Sequence, residues 1–110
     1  MIKYNIKLYT LKKCIYCNAL KNKLKNKLRS NDILFEEIII DDGSKTNSVM
    51  GNRIEFYYKT ETYPILEIYS PLQTRIFSFI TKSDLEPRER IHIFENIDEI
   101  IIKIKQLYEI

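Results

Sequence analysis

The sequence predicts an α/β domain, with a mixed sheet of about four strands and helices on both faces. Three observations carry that reading. Residues 2–10 alternate with a period of two, and from Ile15 to Arg29 the rhythm changes to leucines every four residues; this is a strand followed by an amphipathic helix. A second apolar run, Ile33 to Ile40, follows the helix, and such a crossover makes the two strands parallel. Two more strand-like runs, 65–69 and 75–80, flank the turn-like Pro71-Leu72-Gln73-Thr74, which reads as an antiparallel hairpin.

In the first strand Ile6, Leu8 and Thr10 fall on one side and Asn5, Lys7 and Tyr9 on the other. Lys12 and Lys13 break the alternation and start a loop. The helix carries Leu20, Leu24 and Leu28 as its stripe, with Ala19 beside them and Lys21, Lys23, Lys25 and Lys27 elsewhere; lysines near its end suit the helix dipole. Ser30-Asn31-Asp32 ends it. The run 33–40 reads as a strand well buried at Ile38-Ile39-Ile40. Asp41-Asp42-Gly43-Ser44 is a turn, with Asp42 or Ser44 as cap of a second helix from about Lys45 to Lys59. Its apolar positions are Val49, Met50, Ile54, Tyr57 and Tyr58, and Gly51 weakens it. Residues 81–90 are polar, contain Pro87, and read as a loop. Ile91-His92-Ile93-Phe94 is either a short extra strand or the partner of strand 65–69. The last helix opens on Asn96-Ile97-Asp98-Glu99, which resembles a capping box. Ile97, Ile100, Ile101, Ile104, Leu107 and Tyr108 share one of its faces.

One domain, 1–110, accounts for the whole sequence, with no internal repeat. A net charge of +3 is too weakly basic for a dedicated nucleic-acid binder, so the lysine-rich stretch 21–29 reads as a solvated face. Met1 to Lys7 holds no apolar segment of signal-peptide length, and no apolar run is long enough to span a membrane. The expectation is a monomeric, cytoplasmic protein. In a reducing compartment the two cysteines, Cys14 and Cys17, are catalytic or metal-binding rather than a structural disulfide. A closed zinc site needs four ligands, and His92 is the one histidine, so no metal is expected.

The stretch Cys14-Ile15-Tyr16-Cys17 falls where a loop meets a helix start. There unpaired N–H groups and the positive end of the dipole stabilise a thiolate, and Lys12 and Lys13 add positive charge. Cys17 lies one turn later, placed to attack a mixed disulfide on Cys14. This spacing reads Cys14 as nucleophile and Cys17 as resolving thiol.

Tyr9-Thr10, a three-residue spacer, Cys14-Ile15-Tyr16-Cys17, and Thr62-Tyr63-Pro64 before a strand together resemble the glutaredoxin family. That family typically carries Cys-Pro-Tyr-Cys and a Thr-Val-Pro whose proline is cis. The resemblance implies a thioredoxin-like fold and a redox-active thiol–disulfide oxidoreductase serving electron transport, with glutathione as co-substrate. Its partners would be glutathione and disulfide-bearing or glutathionylated proteins. It implies that Tyr63 pairs, strand-like, with the cysteine of glutathione, and that Thr62, Pro64 and Tyr16 line the site. Lys12 or Lys13 would replace a family lysine where Leu11 stands. If 91–96 aligns with the family's Gly-Gly region, His92 and Ile93 stand for the glycines, and Glu95 and Asn96 for the pair that holds the γ-glutamyl end. Ile15 stands where the family has proline. A family-like potential would be roughly −200 to −230 mV. Two other readings remain: a thioredoxin-like dithiol oxidoreductase that does not use glutathione, and a binding module with a vestigial redox site. A bridged iron–sulfur cluster on Cys14 and glutathione is a minor third.

Overall fold

A computed structural model of the chain describes residues 4–27, 33–72, 74–81, 90–94 and 96–108, without the side chains of 4, 107 and 108. The elements are β1 (Tyr4–Thr10), α1 (Ile15–Lys27), β2 (Ile33–Ile39), α2 (Lys45–Tyr58), β3 (Ile65–Tyr69), β4 (Arg75–Ile80), β5 (Ile91–Ile93) and α3 (Ile97–Tyr108). One sheet runs in the order β2-β1-β3-β4-β5. β1 is parallel to β2 and antiparallel to β3, β3 is antiparallel to β4, and β4 is parallel to β5. The sheet therefore has five strands where about four were expected. The fifth is Ile91–Ile93, and it pairs with β4, not with 65–69. Both edges of β3 are already taken, by β1 and β4.

The period-two reading of β1 holds, but both sides of the strand are buried. Ile6, Leu8, Leu66, Ile68 and Phe79 pack under Leu20 and Leu24 of α1 and Ile100, Ile101 and Ile104 of α3. Tyr9, Ile65 and Ile80 pack under Ile54 and Tyr58 of α2. Each such aliphatic side chain contributes roughly 1.5–3 kcal/mol on burial. Ile38 and Ile39 are only half-buried and Ile40 alone of that trio is buried, because β2 is an edge strand rather than a central one. Leu28, the Ser30-Asn31-Asp32 stop, Pro87 and the side chains of Leu107 and Tyr108 lie outside the described residues.

Ser44 caps α2, its Oγ accepting the Asn47 N–H at 3.1 Å. Asp42 instead braces the turn by accepting the Ser44 N–H and the Asn47 side-chain amide, which holds its carboxyl below the usual carboxylate range. The helix ends at Tyr58, with Lys59 in the left-handed conformation at φ 47°. At the start of α3, Asn96 Oδ1 accepts the Glu99 N–H at 3.1 Å, as the Asn-x-x-Glu pattern predicts. Gly51 has a packing reason to be in α2: a Cβ there would overlap the Cγ2 methyl of Ile40. Alanine at 51 would gain about 1 kcal/mol of helix propensity but must displace a β-branched neighbour. Gly51→Ala is expected to destabilise the fold by about 1–2 kcal/mol in urea unfolding; a stabilised variant would contradict this packing.

On the α2 side of the sheet lies a buried carboxylate. Glu67, 4% exposed, accepts hydrogen bonds from the hydroxyls of Tyr9 (2.8 Å), Tyr58 (2.5 Å) and Tyr69 (2.9 Å). Tyr58 in turn accepts from Ser78 and Arg75. Every lone pair and proton of the Tyr58 hydroxyl is thus used. Burial first, and the Glu67 charge second, push the Tyr9 and Tyr58 phenols well above their usual range. Below pH 10 the phenols are protonated in both folded and unfolded chains, and their stabilisation is fully present. Above it the unfolded chain loses these protons while the fold keeps them, so stability falls as pH rises. Two phenols give a loss of about 3 kcal/mol per pH unit above about pH 10. Urea unfolding at pH 9 and at pH 11 (about these values, chosen to bracket the phenol range) checks this; equal midpoints would refute it.

Candidate active site

Cys14 and Cys17 are joined by a disulfide, with their Cα atoms 5.2 Å apart. The loop from Thr10 to Cys14 is held in place from the β2–α2 turn: Ile40 N–H donates to the Thr10 carbonyl at 2.9 Å, and the Lys12 N–H to Asp41 Oδ1 at 2.8 Å. Thr10 donates its hydroxyl to Glu37, which also pairs with Lys21 of α1 at 3.4 Å. The strand end, the edge strand and the helix are thereby locked around the dithiol. Asn18 N–H bonds the Cys14 carbonyl at 3.1 Å, which makes Cys14 the cap residue of α1. The Cys17 N–H points at Cys14 Sγ, 3.1 Å away. Cys14 is half-buried, whereas Cys17 is 1% exposed. Cys14 is thus the more accessible of the two.

Beside the dithiol opens a cleft of roughly 580 Å³. Tyr16, Thr62, Tyr63, Pro64 and Asn96 all line it. The Tyr63–Pro64 peptide is cis. The β1–β3 ladder stops at Tyr9–Ile65, so the main chain of Tyr63 lies outside it. The Tyr63 ring turns inward, and its hydroxyl donates to Glu55 Oε2 at 2.8 Å; burial and then that carboxylate keep the phenol protonated. Ile15 and Tyr16 stand 84% and 73% exposed at the rim.

Other expected residues are placed elsewhere. Lys12 and Lys13 are exposed in the turn before Cys14 and do not line the cleft. Leu11 packs against the Tyr9 cluster, a position unsuited to a lysine. His92 lies on β5, with its ring against Phe77 and Phe79 at 5.3 and 5.5 Å, and takes no part in the cleft; burial, then Lys103, lowers its pKa. Glu95 lies outside the described residues. Asn96 spends its amide on Glu99 through both oxygen and nitrogen. Sequence reasoning missed Lys23 and Asp98, which pair across the cleft wall at 2.5 Å and link α1 to α3. It also missed Thr81, whose buried hydroxyl has no partner among the described residues. Their signal is tertiary: α1 and α3 pack side by side on one face of the sheet.

No protein-family model and no curated protein sequence matches the chain. Solved structures do. Thioredoxin f2 of Chlamydomonas reinhardtii matches with a TM-score of 0.62 at 15% identity, over 97% of this chain and 81% of that one. The fold is thioredoxin-like. Oxidised thioredoxin O2 of Arabidopsis thaliana matches at 0.60 and 15% identity, over 96% and 76%. A DsbH oxidoreductase matches at 0.54 and 11% identity, over 99% and 74%. At these identities the likeness is one of fold, and the thioredoxin-like frame puts the disulfide at the end of β1 and the start of α1. Among the described residues no helix of this thioredoxin-like domain is long and apolar enough to cross a membrane.

Proposed function

We propose that the chain is a thiol–disulfide oxidoreductase, with Cys14 as nucleophile and Cys17 as resolving thiol. The observation that carries this is the asymmetry of the pair. Cys14 is reachable at a helix cap with an N–H aimed at its sulfur, and Cys17 is buried one turn behind it. In the reduced protein the Cys14 thiolate attacks one sulfur of a target disulfide. A Cys14–target disulfide forms, and the other target sulfur leaves as a thiolate and takes up a proton. Cys17 then gives up its proton and attacks Cys14 Sγ, closing the intramolecular disulfide and releasing the second target sulfur as a thiolate that is protonated. Two electrons pass to the target, and the Cys14–Cys17 disulfide is the oxidised product. Ile15 and Tyr16 offer the target an exposed apolar rim, and the main chain of Tyr63 lies beyond the end of the β1–β3 ladder, where a target strand can pair with it.

Glutathione as co-substrate is the finer reading. It is favoured by the convergence of Tyr16, Thr62, Tyr63, Pro64 and Asn96 on one cleft. The γ-glutamyl end meets a less suitable wall, because Asn96 is engaged with Glu99 and Lys23 with Asp98. The reading that fits this charge pattern best is a polypeptide disulfide as substrate, with glutathione held weakly. The test compares turnover driven by glutathione and its reductase with turnover driven by a protein dithiol reductase. The expected result is faster turnover with the protein dithiol. Glutathione turnover saturating well below about 1 mM, the usual upper range of KM values, would instead establish the glutaredoxin-like reading.

A further inference from the structure

A second concave surface lies on the α2 side of the sheet and shares no lining residue with the dithiol cleft. Its volume is roughly 590 Å³, within the usual range of about 300–1,000 Å³ for small-molecule sites. Three cations from three elements line it: Lys7 of β1, Arg53 of α2 and Arg75 of β4. Among the described residues none of the three forms an ion pair. Among the described residues the buried Glu67 is the one carboxylate in the lining, and its oxygens already accept three phenols. Glu36 is opposite Lys7 in the β2 register but does not line the cleft.

Lys7 and Arg75 are held by aromatic rings and hydroxyls rather than by carboxylates. Lys7 Nζ rests over the Tyr69 ring at 4.9 Å. The Arg75 guanidinium lies over the Tyr57 ring at 4.8 Å and is braced by the hydroxyls of Tyr57, Tyr58 and Ser78. These oxygens leave part of the guanidinium fork without an acceptor, since arginine has five N–H donors. Lys7 and Arg53 donate to no acceptor among the described residues, with Glu67 already committed elsewhere. A ligand that satisfies this wall brings several anionic oxygens. It also meets an aromatic surface, with Phe56 84% and Tyr57 42% exposed.

We propose that this cleft binds a nucleoside phosphate, its phosphates on Lys7, Arg53 and Arg75 and its base against Phe56. Phosphate suits donors that meet no anionic acceptor among the described residues, and a flat base suits the exposed ring, as stacking on aromatic side chains is tolerant of base identity. The site works independently of the dithiol chemistry, so it stands or falls separately.

The test is titration of the whole protein with ATP, tripolyphosphate and poly-glutamate at low salt, followed by backbone amide NMR. Lys7→Gln and Arg53→Gln serve as variants, with thermal unfolding as the check that each is folded; Arg75 is left intact because it braces the Tyr58 network. The expected result is saturable ATP binding with shifts at Lys7, Arg53, Tyr57 and Tyr69. Each variant should weaken binding about tenfold, the loss of one charge-assisted hydrogen bond. ATP should also bind more tightly than tripolyphosphate. No saturable shift by about 5 mM, a millimolar ceiling beyond which binding is negligible, would overturn the proposal. So would unchanged affinity in both folded variants, or tripolyphosphate binding as tightly as ATP. Tighter binding of poly-glutamate would overturn it in favour of an acidic protein partner.

Discussion

Cys14→Ser is expected to abolish disulfide reduction, with a loss of at least about a thousandfold, because the attacking sulfur is removed and no other thiol replaces it. Cys17 is the only other cysteine, and it is 1% exposed, so it cannot take over the first attack. A serine hydroxyl at 14 keeps the size and the cap geometry, so α1 still receives a capping oxygen and the fold is expected to persist. That separates loss of chemistry from loss of structure. Cys17→Ser has a different signature. The first attack remains, and the reaction stalls at the mixed disulfide unless an external thiol releases it. Equal residual activity in both variants would mean that the two sulfurs have no division of labour, against the burial asymmetry.

The second large effect concerns stability. Glu67→Leu is expected to cost about 3–5 kcal/mol in urea unfolding, the usual penalty for removing one partner from a buried charged network. The reason lies in what is left behind. Tyr9 is 2% exposed, so its hydroxyl cannot turn to water once Glu67 is gone, and a stranded buried donor costs about 1–3 kcal/mol. Tyr58, 0% exposed, can turn its proton to Ser78 Oγ only by giving up the Ser78 proton it accepts. Arg75 would keep its bonds to Tyr57, Tyr58 and Ser78 but lose the carboxylate they lead to. Glu67→Gln retains an acceptor oxygen and is expected to lose roughly half as much, in line with a neutral rather than a charged acceptor. A leucine variant within about 1 kcal/mol of the parent protein, the size of an ordinary surface change, would show that the tyrosines find other partners.

The order of elements is readable because each depends on local pattern. The alternation of 5–10, the leucine spacing of 20 and 24, and the Asn96–Glu99 cap are all short-range signals, and all are present in the fold. The cysteine pair is likewise local: three residues apart, straddling a loop and a helix. What the sequence hides is set by distant partners. Glu67 looks like an ordinary solvent-facing residue of a strand, yet Tyr9 and Tyr58, from 58 and 9 residues away, close over it. Ile38 and Ile39 look like core, yet their strand is the edge of the sheet. Strand β5 is ambiguous because three residues carry little pattern, and the occupied edges of β3 settle where it goes. The cleft wall formed by Lys23 and Asp98 joins residues 75 apart, and no spacing rule reaches that far.

The central claim is that Cys14 alone makes the first bond to a substrate. It is tested most directly by mass spectrometry of reduced Cys17→Ser and Cys14→Ser proteins, each mixed with a disulfide-bearing peptide. One peptide adduct per chain on Cys14 of the Cys17→Ser protein, released by added thiol, and none on Cys17 of the Cys14→Ser protein are expected. A Cys14 that stays free and alkylatable, with no adduct formed, would contradict it.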